Sequence, residues 1–195
     1  AGTGINMNAN EVIANRALEI LGHRPGDYQI IHPLDHVNKG QSTNDVVPTA
    51  IRIAAIRMFD GYVKAAQTLV DALEEKASEY AAVPKLGRTH LQDAVPITIG
   101  QELEAWACAI SRDVQRGQRA IDLLSVVNLG GTAIGTSLNA DPVYVDCVVD
   151  ELRKCSGIDS LRPASNRVDA TQNLDILVEV SGLLKASATT LTKIA

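Results

Sequence analysis

The sequence predicts an all-α protein built from long, closely packed helices, and composition and periodicity both support this. Hydrophobic residues make up 46% of the 195 residues but aromatic residues only 3%. The core must therefore be built from Ala, Val, Ile and Leu, which suits packed helices better than a β-sandwich. Apolar residues also recur every three, four or seven positions in several separate runs, which is the spacing of one face of a helix.

Composition also excludes several classes of function. The net charge is −5 and the charged residues are interleaved, so there is no basic footprint for nucleic acid. No run approaches the ~20 apolar residues of a membrane span, and the first residues do not form a signal-peptide pattern. We therefore expect a cytoplasmic protein with no nucleic-acid or membrane partner. The cysteines lack CxxC spacing and are predicted to be small core residues; they are Cys108, Cys147 and Cys155.

The first predicted element is a short amphipathic helix over residues 8–21. Asn8 and Glu11 have the spacing of a capping box, and Gly22 is a stop signal. Its predicted inward face contains Ile13, Ala17, Ile20 and Leu21. The following segment, "GHRPGDYQIIHPLDHVNKG", contains several Pro and Gly residues and has no helical period. We expect a loop there and a domain boundary between residues 1–40 and 41–195.

The second element is a long helix that follows Pro48. Two sets of apolar residues repeat every seven positions, as in helices packed side by side. They are Ile56, Val63, Val70 and Ala77, and Phe59, Ala66, Leu73 and Tyr80. A helix of about 30 residues would be ~45 Å long. Helices of this length need extensive partner surfaces, so self-association is expected.

Three further runs complete the predicted helical set. One begins after Pro96 and has its apolar face at Ile99, Leu103, Trp106, Ile110, Val114, Gly117, Ile121 and Leu124. A shorter helix is bounded by Asp141 as cap, Pro142 in the first turn and Gly157 beyond its end, with an apolar face of Val145, Val148, Val149 and Leu152. The last run covers residues 169–195 and carries Leu177, Leu184, Ala188 and Leu191. It has no stop signal, so we expect the sequence to end within a helix.

The segment before the long helix, "KGQSTNDVVPTAIRIAAI", contains more hydrogen-bonding side chains than a helix start requires. Ser42, Thr43, Asn44 and Asp45 are consecutive, whereas one side chain suffices for a cap. The positive end of a helix dipole attracts anions, so the extra donors indicate an anion-binding site. The alternative is an ordinary capped helix, because these residue types also gather at caps for local reasons.

Two other polar segments are candidates for the same site. In "AGTGINMN", Gly2 and Gly4 flank Thr3, which permits a tight turn offering N–H groups and one hydroxyl; the alternative is a plain loop before a cap. In "GRTHLQDAVP", Thr89 and His90 stand in a polar loop before the next helix. A single loop histidine is more often structural than catalytic, so this segment alone does not establish a catalyst.

A fourth segment, rich in glycine, and the remaining histidines give no independent site. The segment "VNLGGTAIGTSLN" has the glycines of a phosphate cradle but not the GxxxxGK[ST] pattern, so it is predicted to be a structural turn between helices. His23, His32 and His36 lack a metal-binding spacing, and we assign no metal. The hydroxyls, amides and single imidazole of the candidate segments suit a small dicarboxylate and the stabilisation of developing negative charge, as in an elimination through a carbanion.

Four segments in order carry a specific resemblance: "GTGINMNANEVIANRA", "DHVNKGQSTNDVVPTAIRIA", "GRTHLQDAVPITIGQE" and "VNLGGTAIGTSLN". Together they resemble the aspartase/class II fumarase superfamily over essentially the whole chain. Within it they are more similar to the aspartate ammonia-lyase branch than to the fumarases. Fumarases usually have a second serine at the position of Thr43 and a threonine at the position of Leu91.

The resemblance implies a helical bundle assembled into a homotetramer with a twenty-helix core and active sites shared by three subunits. Residues 1–40 would be the end of an N-terminal domain, and 41–195 part of the central bundle domain. The dicarboxylate site would be lined by Thr3, Ser42, Thr43, Asn44, Thr89 and His90. Thr89 and His90 would also take part in catalysis, and the chemistry requires no cofactor.

The implied reaction is the reversible anti-elimination of ammonia from L-aspartate to give fumarate through an aci-carboxylate. The family's loop of the type GSSxMPxKxNP, which carries the catalytic serine, is not among these 195 residues, so we expect the chain alone to be inactive. Two alternatives stay open at this point. One is a class II fumarate hydratase acting on malate and fumarate, and the other is a helical oligomerisation module whose polar loops are only caps.

Overall fold

The computed structural model describes residues 2–195, which form two compact units. One unit comprises residues up to Ala54 together with Leu124–Leu174, and the other comprises Ala55–Leu123 and Asp175–Ala195. These units follow the packing within the chain and do not test the predicted domain boundary after residue 40, which stays a prediction. The predicted all-α, long-helix bundle is confirmed, with two small two-stranded sheets in addition.

The first unit contains the short elements and the beginning of the longest helix. In chain order they are α1 (Thr3–Ile20), a single π-helical turn (Pro33–Val37), the start of α2 (Thr43–Glu79), β3 (Val126–Val127), α4 (Pro142–Ser156), β4 (Arg162–Pro163) and α5 (Arg167–Gln172). The β3 and β4 strands pair in parallel. The described part of the chain has no helix long and apolar enough to cross a membrane.

Helix α1 begins earlier than predicted and turns a different face inward. It starts at Thr3, so Asn8 lies inside the helix and is not its cap. The buried stripe is Asn6, Asn10, Ala14 and Leu18. The predicted apolar face is wrong, since Ile13 and Ile20 are 54% and 71% exposed. The amides are inside because they have hydrogen-bond partners there, which removes the cost of burying them.

Helix α2 confirms the heptad pattern but begins before the proline. Ile56, Phe59 and Val70 are all at most 6% exposed, whereas Tyr80 follows the last helical residue. Pro48 lies inside the helix rather than at its start. A proline at that position removes one backbone N–H from the helical ladder, and the side chain of Asn128 provides a substitute donor.

The second unit packs the rest of α2 with α3 (Ile99–Leu124) and α6 (Asp175–Ile194). The predicted apolar stripe of α3 is confirmed, with Ile110 and Leu124 fully buried. Helices α2 and α3 approach closely at Gly117, where an added Cβ would lie 2.6 Å from Cγ2 of Val63. The Tyr62 hydroxyl donates to Oγ of Ser187 on α6 at 2.7 Å.

The polar segment predicted as a loop between α2 and α3 is a β-hairpin. Strands β1 (Pro84–Thr89) and β2 (Gln92–Thr98) pair antiparallel. Between the Leu86–Pro96 and Arg88–Asp93 pairs β2 contributes one residue more than β1, which marks a bulge. The turn residues lie between Thr89 and Gln92. The hairpin was not predicted from the sequence, because Gly87 and Pro96 are poor strand formers in isolation.

Helix α4 agrees with its predicted boundaries. The Asp141 carboxylate accepts the Val143 N–H at 2.8 Å, Pro142 is the first helical residue, and Gly157 adopts a left-handed conformation at the C-cap. Val149 is the most deeply buried residue of the predicted apolar face. Local capping signals thus sufficed to place this helix.

Three predictions about the C-terminal run and the cysteines are wrong. The last run is divided into α5 and α6 between Gln172 and Asp175. Val180 and Ser187 of α6 are buried, while Leu184 and Leu191 from the predicted face are 43% and 44% exposed. The cysteines are exposed rather than in the core. Sequence periodicity identifies the apolar faces of a helix, but it does not determine which of two such faces is buried within this chain.

Candidate active site

The N-terminus of α2 is capped reciprocally by two of its four consecutive polar residues. The Asn44 N–H donates to Oγ of Ser42 at 3.2 Å. In return the Ser42 N–H donates to Oδ1 of Asp45 at 2.9 Å. This is the capping-box geometry, with Asp in place of the usual Glu or Gln. It accounts for Ser42 and one oxygen of Asp45, and it leaves Thr43 and the Asn44 side chain for other contacts.

The second carboxylate oxygen of Asp45 binds the glycine-rich segment that follows β3. Oδ2 accepts the N–H of Thr132 at 2.9 Å and that of Gly130 at 3.2 Å. Gly130 has φ 87° and Thr132 φ 58°, a left-handed backbone that helps direct both N–H groups to one side. The segment is the structural turn that the sequence predicts, and its N–H groups bind the Asp45 carboxylate of the same chain.

Burial is the main influence on the ionisation of Asp45. The side chain is 0% exposed, and desolvation raises the pKa of its carboxyl above the usual 3.8, while the N–H groups of Ser42, Thr132 and Gly130 partly oppose that rise. Tyr144 lies nearby, and its burial and the negative charge of Asp45 raise the pKa of the phenol to about 12.

Asn128 completes the helical hydrogen bonding that Pro48 interrupts. Because proline has no N–H, the carbonyl four residues earlier, that of Asn44, loses its helical donor. Nδ2 of Asn128 donates to that Asn44 carbonyl at 3.1 Å and also to Oγ1 of Thr171 at 3.0 Å. Asn128 is fully buried. The internal proline is therefore tolerated because a side chain from the glycine-rich segment supplies the missing donor.

The side chain of Asn44 has a fixed orientation. Its Nδ2 donates to the carbonyl of Ala133 at 2.8 Å. A carbonyl oxygen can only accept a hydrogen bond, so the side-chain atom of Asn44 that faces it is the amide nitrogen, and Oδ1 points away from Ala133. Asn44 is exposed, and Oδ1 is therefore available as a hydrogen-bond acceptor at the surface of the site.

Helix α1 brings Thr3 to the start of α2. A Cβ added at Gly2 would lie 3.1 Å from Cγ1 of Val47, so the two helix starts are adjacent. One turn along α1, Nδ2 of Asn6 donates to Oγ1 of Thr43 at 3.1 Å. The exposed Thr3 hydroxyl and the half-buried Thr43 hydroxyl thus belong to one polar surface. The segment predicted as a tight loop around Thr3 is instead the first turn of a helix.

A buried amide network that sequence reasoning missed supports this surface. Asn6 and Asn10 both donate to Oδ1 of Asn38, at 3.3 and 3.0 Å. Asn38 in turn donates to the Gln41 carbonyl at 3.2 Å. This network fixes α1 against the segment that leads into Ser42. The i, i+4 spacing of Asn6 and Asn10 was the available signal, because two amides on one helical face indicate a shared partner.

Thr89 and His90 stand at the tip of the hairpin in the second unit. Both are exposed. His90 has φ 50° and Leu91 φ 60°, the positive values that a two-residue hairpin turn requires and that usually select Asn-Gly. The Leu91 side chain is 98% exposed. The tip therefore carries conformational strain next to the candidate histidine, a combination found at functional sites.

The structure brings four of the six predicted site residues together. Thr3, Ser42, Thr43 and Asn44 lie in the first unit at two adjacent helix N-termini, where partial positive charge favours a carboxylate ligand. Thr89 and His90 lie in the second unit. Within residues 2–195, no three or more His, Cys, Asp or Glu side chains are grouped in a way that would hold a metal ion. His32 instead caps the π-helical turn through Nδ1.

Comparison with known proteins agrees with this fold. The sequence matches the protein family described as "Lyase" over residues 1–195. It is 50% identical to the aspartate ammonia-lyase of Bacillus subtilis strain 168, covering 100% of this chain and 41% of that protein. It is 45% identical to the aspartate ammonia-lyase of Escherichia coli K12, covering 100% of this chain and 40% of that protein. The chain thus spans about two fifths of the length of these relatives.

Two solved structures are similar to this chain in fold and sequence. A crystal structure of fumarate lyase:delta crystallin from Brucella melitensis bound to cobalt has a TM-score of 0.94 and 51% identity, covering 100% of this chain and 42% of that chain. A crystal structure of recombinant class II fumarase from Schistosoma mansoni has a TM-score of 0.83 and 33% identity, covering 99% of this chain and 43% of that chain.

The long helices, with a cluster of amide and hydroxyl groups at two helix N-termini, define a lyase-type domain. The chain belongs to the lyase family, and its predicted place in the aspartase/class II fumarase superfamily is confirmed.

Proposed function

We propose that the protein is an aspartate ammonia-lyase that interconverts L-aspartate with fumarate and ammonia. The observation that carries this proposal is the polar surface of Thr3, Ser42, Thr43 and Asn44 at two adjacent helix N-termini. The 45–50% identity to bacterial aspartate ammonia-lyases supports the same activity. The hydroxyls and helix dipoles suit a substrate carboxylate, and the acceptor oxygen of Asn44 suits the ammonium group of aspartate.

The chemistry explains why many neutral donors are needed. The proton at C3 of aspartate is weakly acidic because it lies beside an ionised carboxylate. Its removal gives an aci-carboxylate, in which the negative charge on that carboxylate increases. Preorganised hydroxyls bind this state more strongly than the ground state and so lower the barrier. We assign substrate binding to Thr3, Ser42, Thr43, Asn44, Thr89 and His90, and catalytic roles to Thr89 and His90.

The proposed site also requires assembly. The six residues are divided between two units of the chain, and the homotetramer implied by the superfamily would complete each site from several subunits. The catalytic serine loop of the superfamily is not among these 195 residues. We therefore expect this chain alone to form no fumarate from aspartate. We also propose a cytoplasmic protein whose partners are its own copies and a dicarboxylate.

A class II fumarate hydratase is the second candidate function. The Schistosoma mansoni fumarase structure, at 33% identity, supports the shared fold. The residues at positions 43 and 91 favour the ammonia-lyase instead, since this chain has Thr43 and Leu91 where fumarases usually have serine and threonine. A helical oligomerisation module would leave the Asn44 acceptor and the Thr3 hydroxyl without a ligand.

The first test is made on the protein at its full natural length, by following fumarate absorbance with L-aspartate and, separately, with L-malate. Formation of fumarate from aspartate alone supports the ammonia-lyase. Formation from malate alone replaces it with the hydratase, and no fumarate from either favours the oligomerisation module.

The second test is the substitution Asn44→Ala in the same protein. It removes a hydrogen bond to a charged substrate group, which is worth about 1.5–3 kcal/mol, so kcat/KM for aspartate should decrease about 10- to 100-fold. Asn8→Ala provides a matched control, because Asn8 is an exposed asparagine within α1 of the same unit and lies outside the proposed site. Equal kcat/KM values for the two variants would remove Asn44 from the site.

A further inference from the structure

The residues that line the proposed site are held by contacts that lie beneath the surface. Residues 42–45 at the start of α2 are joined to residues 128–133 of the glycine-rich segment, and we refer to this set of hydrogen bonds as the junction. It contains the bonds from Gly130 and Thr132 to Asp45, from Asn128 to the Asn44 carbonyl, and from the Asn44 side chain to the Ala133 carbonyl.

Asp45 is the central member of the junction. Its two oxygens accept three backbone N–H groups from two separate segments, those of Ser42, Gly130 and Thr132. The side chain is 0% exposed, so it does not reach a ligand in solution. Hydrogen bonds to a carboxylate are directional. The role of this buried carboxyl group is therefore to hold the two segments together.

The junction determines the position of Asn44 from both sides. The backbone carbonyl of Asn44 is held by Asn128 at 3.1 Å, and its side-chain nitrogen is held by Ala133 at 2.8 Å. Pro48 frees that carbonyl from the helical ladder, so the Asn128 bond has no competitor within the helix. Because the next residue after Asn44 is Asp45, any movement of the carboxylate relative to residues 130–132 would also displace the Asn44 acceptor.

We propose that Asp45 is a positioning residue for the dicarboxylate site: it joins the start of α2 to the glycine-rich segment and thereby fixes Asn44 in the geometry that binds substrate. This inference rests on the proposed function. It adds a buried residue that acts through Asn44, not through contact with the substrate. The glycine-rich segment thus acquires a function in the site although it presents no catalytic side chain.

The test is a double-mutant cycle in the full natural protein, with the substitutions Asp45→Asn and Asn44→Ala made singly and together. Asp45→Asn conserves size but presents an NH₂ group to at least one of the three N–H donors. We expect kcat/KM for aspartate to decrease about 10- to 100-fold, since a displacement of ~1 Å at a reacting site costs up to about 100-fold. In the Asn44→Ala background the same substitution should cost less than about threefold.

The matched control is Asp141→Asn, which replaces the exposed capping carboxylate of α4 in the same unit and should leave kcat/KM unchanged. The melting temperature of each variant is measured in parallel. A role in stability alone would lower the melting temperature by the same amount in both backgrounds and would give the same fold-loss of kcat/KM in both. That additive result, or an unchanged kcat/KM for Asp45→Asn, overturns the proposal.

If Asp45→Asn does not fold, Asn128→Ala takes its place in the cycle, because it removes the bond to the Asn44 carbonyl from the same junction. A loss that disappears in the Asn44→Ala background supports the positioning role, and an additive loss overturns it. The activity of the unsubstituted protein distinguishes the proposed function from the positioning role of Asp45. If it forms no fumarate from aspartate, both are overturned, whereas full activity with an additive cycle overturns the positioning role alone.

Discussion

The close approach of α2 and α3 at Gly117 predicts how much an added methyl group should destabilise the protein. In the variant Gly117→Ala the new methyl group would lie 2.6 Å from Cγ2 of Val63 and 3.1 Å from Cε1 of Tyr62. Carbon atoms prefer a separation of about 3.5–4.0 Å, so the helices must move apart or Val63 must leave its rotamer. Overpacking of this kind costs about 2–3 kcal/mol.

Part of this cost is offset within the helix itself. Alanine is a better helix former than glycine by about 1 kcal/mol. The expected net loss is therefore about 1–2 kcal/mol in the free energy of unfolding, or a decrease of about 2–8 °C in melting temperature for a domain of this size. Urea denaturation followed by far-UV circular dichroism measures it directly.

Two other helical glycines of the same unit provide matched controls. Gly61 in α2 and Gly182 in α6 have no atom within 4 Å of an added Cβ. Gly61→Ala and Gly182→Ala should therefore stabilise the protein by about 0.5–1 kcal/mol. The reasoning would be refuted if Gly117→Ala were as stable as these two variants, because the change in helix propensity is the same in all three.

Two further predictions concern the hairpin tip and the buried carboxylate. Leu91→Gly should increase the free energy of unfolding by about 1 kcal/mol, since glycine adopts the φ of 60° without strain; a decrease in urea denaturation would show that the exposed leucine makes a stabilising contact. For Asp45, burial raises the pKa above 3.8, so the folded state retains the proton to higher pH than the unfolded state. The free energy of unfolding should therefore decrease as the pH rises from 3.8 through the folded pKa. Asp45→Asn should abolish this pH dependence, and equal slopes in both proteins would assign it to other groups.

Several helices could be predicted from the sequence by itself, because their own residues specify where they end and which face is buried. Asp141, Pro142 and Gly157 define α4 because capping and left-handed termination act within a few residues. The heptads of α2 and the stripe of α3 were equally readable, since their apolar residues have one possible inward face. The motifs of the candidate site were also visible, and four of its six residues do lie together.

Other features were decided by contacts between distant segments. Asn6 and Asn10 are inside α1 because Asn38 accepts their hydrogen bonds, and no helical pattern of α1 alone contains that information. The hairpin depends on pairing between β1 and β2, since the intrinsic preferences of strand residues are weak and are overridden by context.

The site itself shows the same division. The sequence by itself supplied Ser42, Thr43 and Asn44, because a surplus of polar side chains at a helix start is a local pattern. Only the tertiary structure assigned Asp45 to the glycine-rich segment and Asn128 to the carbonyl that Pro48 leaves without a helical donor. The physical reason is that a buried polar group must find a partner somewhere, but which segment supplies it is fixed only when the chain folds.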